Sequence, residues 1–173
     1  LSSHDFINDN LDWHLLFLDY AEGVAAQSTC ISSQVGAVIV QGGTQNIIGH
    51  GWNSVPPGDI PCLDQGFCYA LEDKIIKECA HTLYPSRSIH AEINAIADCL
   101  ERGNAHLIPD SVLYVTHESC TACLKSVIAH GIKQIFFCHS GKEAAVKSYW
   151  HQRGIVDLIQ VSISDIEEEQ VHE

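Results

Sequence analysis

Apolar positions along this chain of 173 residues recur with two different periods, and the switching between them sets out its elements. Leu11, Leu15, Leu18 and Ala25 fall on a helical repeat, which predicts a first helix over 11–27 with Asn10 as N-cap. Cys30 sits in the connector that follows. Val35-Gly36-Ala37-Val38-Ile39-Val40 is apolar almost throughout, the pattern of a strand buried on both faces. Gln41-Gly42-Gly43-Thr44 supplies a turn, and residues 46–53 return as the second arm of a hairpin. Pro56-Pro57-Gly58, Pro61, Gly66 and Pro85 then make 54–87 irregular, with one helical piece over 69–80.

Beyond this region the alternation is regular. Ile93, Ile96, Ala97 and Leu100 give an apolar helical stripe that starts just after His90 and is stopped by Gly103. Strands follow at 111–116, 134–138 and 156–161, and helices at 120–130, closed by Gly131, and at 141–153. A hairpin followed by alternating helices and strands predicts an α/β domain of three layers with its site at strand ends. The expected division is one domain over 1–164 and an acidic tail over 165–173.

Charge narrows the partners. Nine Lys and Arg against 22 Asp and Glu give a formal net charge of −13, which disfavours nucleic acid and favours a small-molecule substrate. No apolar run approaches the roughly 20 residues that span a bilayer, so no membrane partner is expected. The first residues include His4, Asp5 and Asp9 and lack the basic start of an export signal. The expected location is cytoplasmic, where the eight cysteines stay reduced and bind metal or pack.

Two short stretches carry the chemistry. His90-Ala91-Glu92 opens a helix, and Ser119-Cys120-Thr121-Ala122-Cys123 opens another. His90, Cys120 and Cys123 offer one imidazole and two thiolates, three ligands for a tetrahedral zinc with the fourth position left open, as in catalytic sites. Cys120 and Cys123 share one helix face, and a helix N-terminus favours their thiolate form. Glu92, beside the metal, is the candidate proton carrier, acting first as base and then as acid. A lone C-x-x-C is equally a redox pair or half of a structural site, and a lone H-x-E is close to noise. In this order they match the zinc deaminase signature, H-x-E followed by P-C-x-x-C, with Ser119 where the proline is expected.

From about Ser28 to Gly154 the chain resembles the deoxycytidylate (dCMP) deaminase family of the cytidine deaminase-like superfamily. The shared segments include Gln34–Val40, Gly51-Trp52-Asn53-Ser54 with Pro56, Cys62-Leu63-Asp64, His90–Ile96 and Leu113 through Ile132. The resemblance implies a cytidine deaminase-like fold with a mixed five-stranded sheet flanked by helices on both faces. It implies hydrolysis of dCMP to dUMP with release of ammonia, zinc on His90, Cys120 and Cys123, and a homo-oligomer. It also implies that Asn53 hydrogen-bonds the substrate, that the Ala91 backbone contacts the base, and that the Ser119 carbonyl receives the leaving amino group. Trp52 and Ser54 depart from the family's Tyr and Gly. The rival readings are a deaminase of another small substrate, such as a free nucleoside, guanine or a related base, and a non-catalytic zinc module.

Two sets of residues remain open. Arg87, Lys142, Lys147 and Arg153, with Tyr149, are candidates for a phosphate clamp, each also readable as a solvated surface charge. Cys30, Cys62, Cys68, Cys79 and His81 concentrate in the connector and the irregular region. A loop of that length is costly to order, and a closed structural zinc would staple it. The expected ligands are Cys30, Cys62 and Cys79 with His81 or Cys68 as the fourth, whereas Cys99 and Cys138 read as packing residues.

Overall fold

The structure, a computed structural model, describes residues 11–68, 87–141 and 144–161. The expected N-cap Asn10, the helical piece at 69–80, Cys79, His81, Lys142 and the acidic tail lie outside the described residues. Helix α1 spans Leu11–Ala25, strand β1 Gly36–Val40 and strand β2 Ile47–Trp52. A four-residue helix α2, Cys62–Gln65, lies within the stretch expected to be irregular and ends at Gly66 in the left-handed conformation. Helix α3 (Ala91–Glu101) precedes β3 (Val112–His117), α4 (Thr121–Ala129), β4 (Gln134–His139), α5 (Ala144–Gln152) and β5 (Asp157–Gln160).

The sheet runs β2-β1-β3-β4-β5. β1 is antiparallel to both β2 and β3, while β3, β4 and β5 are parallel, so the sheet is mixed. Each strand feeds both faces, as a period of two requires. Val38, Val40, Tyr114 and Phe136 face Phe17, Leu18 and Ala21 of α1. Ala37, Ile39, Leu113, Val115, Ile135 and Phe137 pack with α3 and α4 on the other side, and Trp150 of α5 joins that cluster. Tyr114 would strand a hydroxyl in the first layer, but it pairs with His14 Nδ1 at 3.0 Å.

The packing of α3 corrects the expected stripe. Ala91, Glu92, Ala95, Ile96 and Cys99 are buried, whereas Ala97 and Leu100 are exposed. The reason lies across the interface in β2. A Cβ on Gly49 would come within 2.8 Å of Ala95 O, and one on Gly51 within 2.3 Å of Ala95 N. Strand and helix therefore meet backbone to backbone, and small residues spaced by four hold the contact face that bulky ones were expected to take. Asn94 locks the same interface, its Nδ2 donating to Trp52 O at 2.7 Å and Ser54 Oγ at 3.1 Å.

Candidate active site

His90 and Cys120 occupy equivalent places in the fold, each the N-cap residue of a helix. Both have extended backbone, with φ −72° and ψ 154° at His90 and φ −68° and ψ 162° at Cys120. This geometry points each side chain back across its own helix N-terminus. His90 Nδ1 lies 3.6 Å from Cys120 Sγ and 3.3 Å from Cys123 Sγ. Ideal zinc bond lengths and tetrahedral angles place nitrogen and sulfur ligands about 3.5 Å apart. The three residues fit zinc. Among the described residues they are the one group of His, Cys, Asp and Glu side chains whose ligand atoms converge closely enough for a metal. The Cys123 N–H reaches Cys120 Sγ at 3.5 Å, the expected helix-terminus support for a thiolate. Hydrogen bonding from Cys123, then from His90, lowers the Cys120 thiol to about 4. The thiolate formed there drives the Cys123 thiol up in turn.

Glu92 sits in the first turn of α3 and is 3% exposed. Burial pushes its carboxyl above the ordinary value of 4.5, and the N–H of its own backbone offsets part of that rise. Ser119 Oγ lies near enough to counter the shift as well, yet it is buried and makes no well-formed hydrogen bond. His90, Ala91, Glu92 and Cys120 line an open cavity of about 310 Å³, closed on its other sides by Cys30, Ser32, Ser33, Asn53, Ser88, His117 and Glu118. His117 extends β3 and packs against His139 of β4, with ring centroids 4.8 Å apart. Burial, then the neighbouring His139, lowers its pKa below the ordinary 6.5, so it is neutral at pH 7.

Residues 11–139 match the family model described as the cytidine and deoxycytidylate deaminase zinc-binding region. The chain belongs to this family. ComE operon protein 2 of Bacillus subtilis (strain 168) is 31% identical over 160 residues, spanning 91% of this chain and 76% of that protein. Deoxycytidylate deaminase of Enterobacteria phage T4 is 31% identical over 150 residues, spanning 71% of this chain and 76% of that one. In fold, the dCMP deaminase of cyanophage S-TIM5, solved with dCMP and dUMP, superposes with a TM-score of 0.65 at 23% identity, covering 88% of this chain and 98% of that one. The family's region is a zinc-binding one, and the His90, Cys120 and Cys123 cluster is the group among the described residues that could hold the ion.

The structure of this deaminase sorts the remaining candidates. Asn53 does reach the cavity, but its amide is already engaged: Oδ1 accepts from Val35 N and Nδ2 donates to Ser33 O, both at 2.8 Å. It thereby holds Ser32 and Ser33 at the cavity wall. Among the described residues the charged phosphate candidates are already engaged. Arg87 Nη1 pairs with Asp59 at 2.6 Å, and Arg153 lies 4.8 Å over the Tyr149 ring. Lys147, expected at the surface, is 2% exposed and bound to Glu118. Cys30 and Cys68 both approach Ser32 Oγ, at 3.2 and 3.6 Å, and Cys62 feels the charge of both thiols. Sequence reasoning missed Ser32, Ser33 and His117 as wall residues. His117 had one available signal, its place at a strand end just before the cysteine motif.

Proposed function

We propose that this chain hydrolyses dCMP to dUMP and ammonia. The observation that carries the chemistry is a buried carboxyl, Glu92, raised in pKa and lining the same cavity as a ligand set that fits zinc. Relatives named deoxycytidylate deaminase, at about the identity of the phage T4 protein, support the choice of substrate. Bound zinc supplies a water polarised to act as a nucleophile near neutral pH. Glu92 performs the proton transfers. It takes the proton given up as oxygen adds to C4 of the cytosine and delivers it to ring N3. It then takes the proton of the new C4 hydroxyl and passes it to the amino group, so that C4=O forms as the C4–N bond breaks and ammonia leaves. A pKa raised towards neutrality suits a group that must both accept and donate.

Substrate contacts follow from the walls. Ala91 and Ser119 flank the metal ligands and offer backbone groups to the base, and Asn53 retains one N–H and one lone pair for it. Among the described residues the cavity wall holds no Lys or Arg, which leaves Ser32, Ser33 and His117 as donors for a phosphate. The protein acts as a homo-oligomer in the cytoplasm, a reducing compartment in which cysteines bind metal or pack. Ammonia assays with dCMP, deoxycytidine, cytidine, guanine and adenine test the reading. dCMP gives the highest kcat/KM, because the phosphate positions C4 by remote binding. Equal values for dCMP and deoxycytidine, or a preference for any free base, sink it.

A second, structural zinc is part of the same proposal. Cys30 and Cys68 both approach Ser32 Oγ and Cys62 feels their charge, and the proposed ligands are Cys30, Cys62 and Cys79 with His81 or Cys68 as the fourth. Metal analysis then gives about two zinc per chain, and Cys62→Ser loses one while sparing the catalytic ion. One zinc per chain in protein never exposed to chelator excludes the second site.

A further inference from the structure

The segment that carries Cys120 lacks the proline of the deaminase signature, and Ser119 takes its place. Proline would fix the backbone just ahead of the first thiolate ligand. Ser119 does not replace that constraint. Its hydroxyl is buried without a well-formed hydrogen bond, and its N–H donates none among the described residues. The neighbouring residue is held from three directions. Glu118 N donates to His139 O at 2.8 Å, Glu118 Oε2 accepts from Gly141 N at 2.7 Å, and Glu118 Oε1 pairs with Lys147 Nζ at 3.2 Å.

This pair differs from an ordinary surface salt bridge. The Lys147 side chain is 3% exposed and that of Glu118 14%. A Cβ on Gly141 would fall 2.9 Å from Lys147 Nζ and 3.2 Å from both Glu118 O and Glu118 Oε2, so the β4–α5 connection closes directly over the pair. A buried ammonium is tolerated only with a partner, so Lys147 keeps Glu118 in one place. Glu118 lines the catalytic cavity and stands two residues from Cys120.

We propose that Lys147 is a positioning residue for the metal centre: through Glu118 it fixes the backbone bearing Ser119 and Cys120, the task that proline performs in the signature. The inference depends on the metal site and is independent of the substrate. Zinc retention against a chelator and the spectrum of the cobalt-substituted protein therefore test it without turnover. Lys147→Met loses about 10-fold or more in zinc affinity, the scale at which outer-sphere supports act, and broadens the cobalt thiolate bands. Lys147→Arg, which keeps the charge, retains most of the affinity. The decisive variant is Lys147→Met with Ser119→Pro. Because the Ser119 N–H makes no hydrogen bond among the described residues and proline keeps the carbonyl, the proline restores affinity and sharp cobalt bands to near the wild-type values. Should Lys147→Met fail to fold, the double variant decides alone. Wild-type zinc affinity in Lys147→Met, or no recovery of affinity and spectrum in the double variant, overturns the proposal.

Discussion

In the proposed reaction Glu92 carries the proton transfers, and its surroundings explain why a conservative change suffices to remove turnover. Glutamine keeps the shape and can fill the same buried position, but it cannot carry a proton between water, ring nitrogen and amine. Glu92→Gln retains zinc and fold and lowers kcat by roughly 10²–10⁴ or more, since the group acts twice. Ammonia release with metal content measured in parallel checks this; near-normal turnover with zinc bound removes Glu92 from its role. The convergence of His90, Cys120 and Cys123 was legible in the sequence because metal chemistry restricts residue type and spacing together. Ser32, Ser33 and Lys147 were not. A serine wall and a buried lysine acquire their roles from distant partners, and nothing local to Lys147 announces that Glu118 waits 29 positions earlier.

At the scale of elements, periodicity located the helices and strands around the site well, because each strand end and helix start carries its own turn chemistry. Gly103 and Gly131 stop α3 and α4 at positive φ, as their places after the apolar repeats suggested. The face of α3 was harder to read. Apolar spacing pointed to Ile93 and Leu100, yet the glycines of β2 bring the strand so close that only Ala91, Ala95 and Cys99 fit against it. That contact makes a sharp prediction. A methyl group on Gly51 meets backbone atoms of α3 at 2.3 Å, and backbone cannot swing aside as a flexible side chain can. Gly51→Ala costs about 3 kcal/mol, visible as a fall in Tm of roughly 6–12 °C. Because α3 begins at Glu92's turn, the variant also loses activity at temperatures well below its melting point. A Tm within 2 °C of wild type, against that roughly 6–12 °C, contradicts the packing.

Across the whole molecule, a metal held by His90, Cys120 and Cys123 would join parts that the sheet alone keeps separate. His90 caps α3 and the cysteines open α4, so that ion would bridge the two helix starts. Chelation therefore lowers Tm, by a few kcal/mol of linkage when zinc stands at 100 times its dissociation constant, and added zinc restores it. Differential scanning calorimetry on treated and reloaded protein reads the effect; an unchanged Tm after complete metal removal argues against the bridge. The layering was foreseeable from the hairpin followed by alternating elements, whereas the strand order was not. The neighbourhood of Cys30, Cys62 and Cys68 was foreseeable only as a concentration of thiols, since irregular chain carries no period from which to place it.

The shared placement of His90 and Cys120 at two helix N-termini bears on how the donor set is kept ready. Each helix presents about half a positive charge at that end. Those charges are met on the spot by the Cys120 thiolate and by Glu92 and Glu118 on the same cavity, in a chain of formal net charge −13. The backbone thus stands in for a cation: it steadies the thiolate before any metal arrives, and an incoming ion meets its first sulfur ligand already ionised.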